Sequence, residues 1–121
     1  MISALIIDDD PLLRALIVRF LKDMQEIQVI GSAENATSGL SLIAQHHPDL
    51  VILDIQLPDG NAHTLVNQAK QISPSTKVYL CSAYPDERIR MAVDEAGADG
   101  FVSKTQLKEG LASIVHSLHA S

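Results

Sequence analysis

Five short aliphatic runs recur along the chain, and each is followed by a stretch with helical spacing. The runs are Ala4–Ile7, Ile27–Ile30, Leu50–Leu53, Val78–Cys81 and Phe101–Val102. Ile, Val and Leu dominate them, without a clean alternation of apolar and polar residues. A strand that reads this way hides both faces, which places it in a parallel sheet covered by helices on either side. The intervening segments fit. From Pro11 to Met24, the residues Leu13, Leu16, Ile17, Phe20 and Leu21 form one apolar stripe. Pro11 suits a first helical turn, where its missing N–H costs nothing. Leu40 and Ile43 mark a second helix that must end before Pro48. Leu65, Val66, Ala69 and Ile72 mark a third, ending before Pro74. Pro85 to Ala96 reads as a fourth, with Gly97 as its stop. Leu107, Leu111, Ile114 and Leu118 space a fifth.

Strand and helix thus alternate five times. This predicts one α/β domain over residues 1–121, a doubly wound five-stranded parallel sheet with five helices. Five strands favour the flavodoxin-like order 2-1-3-4-5. Composition narrows the function. The chain is 46% hydrophobic but only 3% aromatic, so its core is aliphatic. A net charge of −6 speaks against direct nucleic acid binding by this domain. No apolar stretch is long enough to span a membrane, and Asp8, Asp9 and Asp10 interrupt the first run where a signal peptide stays apolar. Cys81 is the only cysteine, which leaves no internal disulfide or thiolate zinc site and suits a reducing, cytoplasmic setting.

In sheets of this kind, ligands sit beyond the carboxyl ends of the strands. The first run ends in Asp8-Asp9-Asp10, the third in Asp54, the fourth in Ser82-Ala83 and the fifth in Lys104. Several carboxylates, a hydroxyl and an ammonium therefore meet in one crevice. Clustered carboxylates repel unless a cation lies among them. Mg²⁺ fits, because it takes hard oxygen ligands and keeps positions for a phosphoryl oxygen. With Lys104 as a second positive charge and Ser82 as a donor, the set is that of a phosphoryl-transfer site, with Asp54 as a candidate nucleophile.

These residues resemble the receiver domain of two-component response regulators, and the resemblance covers nearly the whole chain. Its segments are Leu5–Arg14, Pro48–Gly60, Cys81–Ala83 and Ala96–Lys104, in order and each at a strand end. The first is most like the NarL/LuxR branch, whose receivers usually precede a helix-turn-helix domain. The resemblance implies a phosphorylation-dependent signalling switch. Asp54 would accept a phosphoryl group from a histidine kinase or phosphotransfer protein. The phosphorylated form would control a partner protein or a C-terminal helix-turn-helix output domain regulating transcription, with homodimerisation on phosphorylation left open. Such a domain is not an enzyme in the turnover sense; it catalyses its own phosphorylation and slow dephosphorylation. By the same resemblance Asp9 and Asp54 bind Mg²⁺ directly, the Gln56 carbonyl is a third ligand, and Asp8 acts through a water. Lys104 pairs with the phosphoryl group, Ser82 swings in to bond it, and Phe101 follows into the space vacated. Asp10 has no ligand role. Gln56 and Tyr84 stand where the family tunes hydrolysis, and neither favours it, so the phosphate is expected to be long-lived.

Three rivals share parts of this pattern. A haloacid-dehalogenase-type phosphatase also carries an Asp-x-Asp nucleophile after its first strand, but it gives Asp54 no place. A flavin-binding electron carrier needs a first loop that holds phosphate, and a triply acidic loop repels it. A degenerate receiver used only for docking predicts a missing acceptor or lysine, and both are present. Plainer roles also exist residue by residue: Asp8 and Asp9 as helix caps, Ser82 as a turn residue, Phe101 as a core aromatic, Cys81 as a small core residue. His116 and His119 are three apart on a helix without an evident third metal ligand. Two positions depart from the family. Ala62 stands where many relatives have Gly, so that turn is expected to differ locally. Thr105 follows Lys104 in place of Pro. The bond between them is therefore expected to be trans, with Thr105 available to cap the fifth helix.

Overall fold

The computed structural model describes residues 1–83 and 87–120 of the chain. In chain order they form β1 (Ile2–Ile7), α1 (Pro11–Lys22), β2 (Ile27–Ala33), α2 (Ala36–His46) and β3 (Leu50–Asp54). Next come β4 (Gln56–Leu57), β5 (Gly60–Asn61), α3 (Ala62–Ile72), β6 (Lys77–Ser82), α4 (Glu87–Ala96), β7 (Gly100–Ser103) and α5 (Leu107–Ala120). The five long strands make one sheet in the order β2-β1-β3-β6-β7, parallel at every pairing. This is the expected 2-1-3-4-5 order. The short antiparallel hairpin β4–β5 is additional, and no periodicity announces two-residue strands.

Strand residues feed two aliphatic layers in turn. Leu5, Ile7, Val51, Leu53, Val78 and Leu80 pack with Ile43 of α2, Leu65, Val66 and Ala69 of α3, and Val93 and Ala96 of α4. Ala4, Ile6, Leu50, Ile52, Cys81 and Val102 pack with Ile17 and Leu21 of α1 and with Leu107, Leu111, Ile114 and Val115 of α5. Consecutive residues of β1 and β3 therefore enter opposite cores, which is why the runs show no alternation.

The helix boundaries have local causes. Asp10 caps α1, its carboxylate accepting from the Leu12 and Leu13 amides. Helix α4 ends in a Schellman turn: Gly97 takes a φ of +76°, its amide donates to Asp94, and that of Ala98 donates to Val93. His47 closes α2 at a φ of +46° just before Pro48.

Some expectations need correction. Leu16 is 40% exposed and leaves the α1 stripe, while Val18 packs on the core instead. The Ala62 turn needs no correction: Ala62 begins α3 after the cap residue Asn61, at a negative φ that alanine adopts without strain. The Lys104–Thr105 bond is trans as expected. Thr105 does not cap α5: its hydroxyl pairs with Ser103 Oγ at 2.8 Å, and the Gly110 amide returns to the Gln106 carbonyl. Tyr84 and Pro85 lie outside the described residues.

Gly39 lets α2 lie close on β1. A Cβ placed there would stand 2.5 Å from Ile7 Cδ1 and 2.9 Å from its Cγ1. Ile7 is itself buried and cannot swing away. Gly39→Ala is therefore expected to destabilise by about 1–2 kcal/mol despite its gain in helix propensity. Ile7→Val deletes the clashing methyl. Denaturant unfolding of the double mutant should recover part of the loss, with a coupling of at least about 0.5 kcal/mol. Simple additivity would refute this packing account.

Candidate functional site

The site assembles where β1 and β3 leave the sheet side by side. Ile7 pairs with Leu53, so Asp8 and Asp54 emerge as neighbours. The Asp8 amide continues the ladder by donating to the Ala33 carbonyl at 3.0 Å. Asp8 and Asp54 are buried, at 1% and 3% exposure, while Asp9 faces solvent. One carboxylate oxygen from each of the three lies within 4.8 Å of the others. Among the described residues this is the one such cluster of His, Cys, Asp or Glu, so His116 and His119 acquire no third ligand. Asp8 Oδ1 accepts from the Asp10 amide at 2.9 Å, and its Oδ2 is buried without a hydrogen-bond partner. Because Asp10 takes the helix cap, Asp8 and Asp9 are released from that duty.

Across the crevice, Asp54 Oδ1 accepts from the Gln56 amide at 3.1 Å and from Lys104 Nζ at 3.2 Å. Lys104 is placed by its own backbone, whose amide donates to the Ser82 carbonyl at 2.8 Å. Ser82 ends β6, buried, opposite Ser103 of β7. An open cleft of about 350 Å³ fronts this side, lined by Gln56, Ser82, Ala83, Arg88 and Lys104 among others. Phe101 is set back from it. It pairs with Leu80 across β6 and β7 and packs, half-buried, on the core beneath α4.

Burial raises the pKa of both Asp8 and Asp54. The Asp10 amide opposes this at Asp8, as do the Gln56 amide and Lys104 at Asp54. Burial alone would lower the Lys104 ammonium, but Asp54 and Asp8 outweigh it and the net shift is upward. Beneath the site, burial pushes the Cys81 thiol up to about 12, consistent with a packing role.

Sequence reasoning missed two residues here. Arg14 Nη1 donates to the Asp8 carbonyl at 2.7 Å, anchoring the acidic loop from the first turns of α1. Its place in the Leu5–Arg14 segment was visible, but an arginine reaching back to a carbonyl has no local signature. Asp59, between β4 and β5, caps α2 from 23 residues away in sequence, and nothing local signals that partner.

A model of the response regulator receiver domain family matches residues 4–116. The chain belongs to this family. It is 33% identical over 120 residues to protein-glutamate methylesterase/protein-glutamine glutaminase 3 of Geobacter sulfurreducens, covering 98% of this chain and 32% of that protein. It is 29% identical over 118 residues to the nitrate/nitrite response regulator protein NarL of Escherichia coli, covering 98% and 55%. The receiver domain therefore spans between a third and about half the length of these two relatives. Among solved structures, the signal receiver domain of the putative response regulator NarL from Mycobacterium tuberculosis superposes with a TM-score of 0.81 at 26% identity, covering 95% of this chain and 96% of that one. Among the described residues no helix is long and apolar enough to cross a membrane.

The raised carboxyls of this receiver set a sign. Asp8 and Asp54 hold folded-state pKa values above the ordinary 3.8. Their contribution to stability is fully present below about pH 4 and is lost as pH rises through the folded values. At neutral pH the metal-free fold carries their cost. Asp8→Asn keeps an acceptor for the Asp10 amide and removes one buried charge from the carboxylate cluster. Without divalent metal it should raise stability by about 1–2 kcal/mol at pH 7, a rise of several degrees in Tm. The gain should shrink at pH 4. A lower Tm at pH 7 would falsify the charge argument.

Proposed function

We propose that this receiver is a phosphorylation-dependent switch in which Asp54 is the phosphoacceptor. The observation that carries the reading is the juxtaposition of Asp8, Asp9 and Asp54 within 4.8 Å, with Lys104 on the same Asp54 oxygen as the Gln56 amide. The donor set suits Mg²⁺, being made of hard oxygens, and the buried, unpartnered Asp8 Oδ2 is the kind of atom that a cation or its bound water satisfies. Asp9, Asp54 and the Gln56 carbonyl would hold the ion, with Asp8 contributing through a water. When bound, Mg²⁺ supplies charge neutralisation at the incoming phosphoryl oxygens.

The chain's own residues do the rest. An Asp54 carboxylate oxygen attacks phosphorus. The bond from phosphorus to the donor histidine nitrogen breaks, and its electron pair leaves with the imidazole, which takes up a proton. Lys104 exchanges its contact with Asp54 Oδ1 for the new phosphoryl oxygens. The Ser82 hydroxyl, at the end of β6, donates to the same group. Phe101 on β7 then turns toward the space beside Ser82 and alters the face formed with α4. The partners on this reading are a histidine kinase or phosphotransfer protein upstream. Downstream lies a helix-turn-helix output, a separate partner protein or a second phosphorylated copy, in a cytoplasmic setting.

Acetyl phosphate with Mg²⁺ should label the wild type once, at Asp54. Intact-mass and peptide spectrometry should find no label in Asp54→Asn. Lys104→Ala should slow labelling by about 10²-fold or more, as removal of one preorganised charge does elsewhere. Equal labelling of wild type and Asp54→Asn would assign the chemistry to another residue.

A further inference from the structure

The β4–β5 hairpin carries the Gln56 carbonyl, and its own tether lies on another helix. Asp59 Oδ1 accepts from the Ala36 amide at 2.7 Å. Asp59 Oδ2 accepts from the Thr37 amide at 3.2 Å and from Thr37 Oγ1 at 3.3 Å. These are the first two helical residues of α2, whose remaining cap is Asn35, accepting from the Ser38 amide. The hairpin registers Gln56 against Asn61 and Leu57 against Gly60. Asn61 in turn caps α3 through the Thr64 amide at 2.9 Å. A Cβ at Gly60 would stand 3.4 Å from Ala36 Cβ, so hairpin and helix start are in near contact. The strip from Gln56 to Asn61 is thus slung between two helix N-termini, with Asp59 as its hold on α2. The Asp59 carboxyl is itself held below its ordinary range, chiefly by the Ala36 amide.

We propose that Asp59 is a positioning residue for the metal site, fixing the Gln56 carbonyl through the hairpin and coupling cation binding to the N-terminus of α2. The inference rests on the reading that this site takes Mg²⁺. Asp59 touches neither ion nor phosphoryl group. It acts by restricting where the peptide after Ile55 can stand, as outer partners restrict a ligand's direction elsewhere. Coupling is reciprocal, so an ion that orders Gln56 also orders the α2 start.

The test uses the full chain and MgCl₂. Mg²⁺ affinity is read from the Gln56 amide shift by NMR, and amide exchange is followed at Ala36 and Thr37. Asp59→Ala is expected to weaken Mg²⁺ by roughly tenfold, and Asp59→Asn, which keeps an acceptor, to restore most of it. Asn35→Ala removes the other α2 cap without touching the hairpin; it should lower Tm and weaken Mg²⁺ far less than Asp59→Ala does. In the wild type, Mg²⁺ should slow exchange at Ala36 and Thr37, and in Asp59→Ala it should not. Unchanged affinity in Asp59→Ala overturns the proposal, and so does an equal loss in Asn35→Ala, which would make the effect one of general stability. A wild type that binds no Mg²⁺ takes down the underlying reading together with this inference, whereas the first two outcomes leave that reading standing.

Discussion

The carboxyl edge of the sheet depends on two carboxylates whose burial is their main cost, with the repulsion of Asp54 adding to it at Asp8. Asp8 and Asp54 are buried, and their oxygens lie within 4.8 Å. At an effective dielectric of about 20, two like charges at that distance repel by about 3.5 kcal/mol. That is a large fraction of the net stability of a small domain. The fold answers with fixed positive ends. Asp8 receives the Asp10 amide, Asp54 receives the Gln56 amide and the Lys104 ammonium, and Arg14 sits on the Asp8 carbonyl. None of these meets Asp8 Oδ2. The unmet demand is therefore left at one buried atom of the cluster.

The rest of the molecule makes this arrangement tolerable. Helices on both faces bury β1 and β3, so the exits of those strands are set by ladders that cannot slip without exchanging two cores. Gly39 lets α2 close on Ile7, the residue immediately before Asp8. The return of the Lys104 amide to Ser82 sets the lysine stem at the mouth of the crevice. Lys104 reaches Asp54 from a trans bond to Thr105, so proline is not required to aim it.

What the sequence made legible follows from the range of each interaction. Strand cores, the sheet order and the meeting of Asp8, Asp9, Asp54 and Lys104 were readable, because periodicity and parallel topology together dictate which strand ends adjoin. The hairpin β4–β5 was not, since two-residue strands have no period. Leu16 was misplaced because apolar identity at helical spacing marks a face only to within a residue. The role of α1's cap fell to Asp10 when Asp8 and Asp9 were equally capable by composition. Only the turn geometry, in which the Asp10 amide binds Asp8 Oδ1, decides among three identical side chains. Arg14 and Asp59 act on backbone groups, and backbone groups carry no sequence label.

That same choice of cap has a functional consequence. An aspartate bound to helix amides has its lone pairs engaged and its position locked. Had Asp9 capped α1, the cluster would have lost its exposed member and kept only buried carboxylates. Giving the cap to Asp10 leaves Asp9 solvent-facing beside two desolvated partners. The third aspartate of the triplet thus takes the helix amides and leaves the carboxylates of the other two to the cluster, touching it only through its own amide on Asp8 Oδ1.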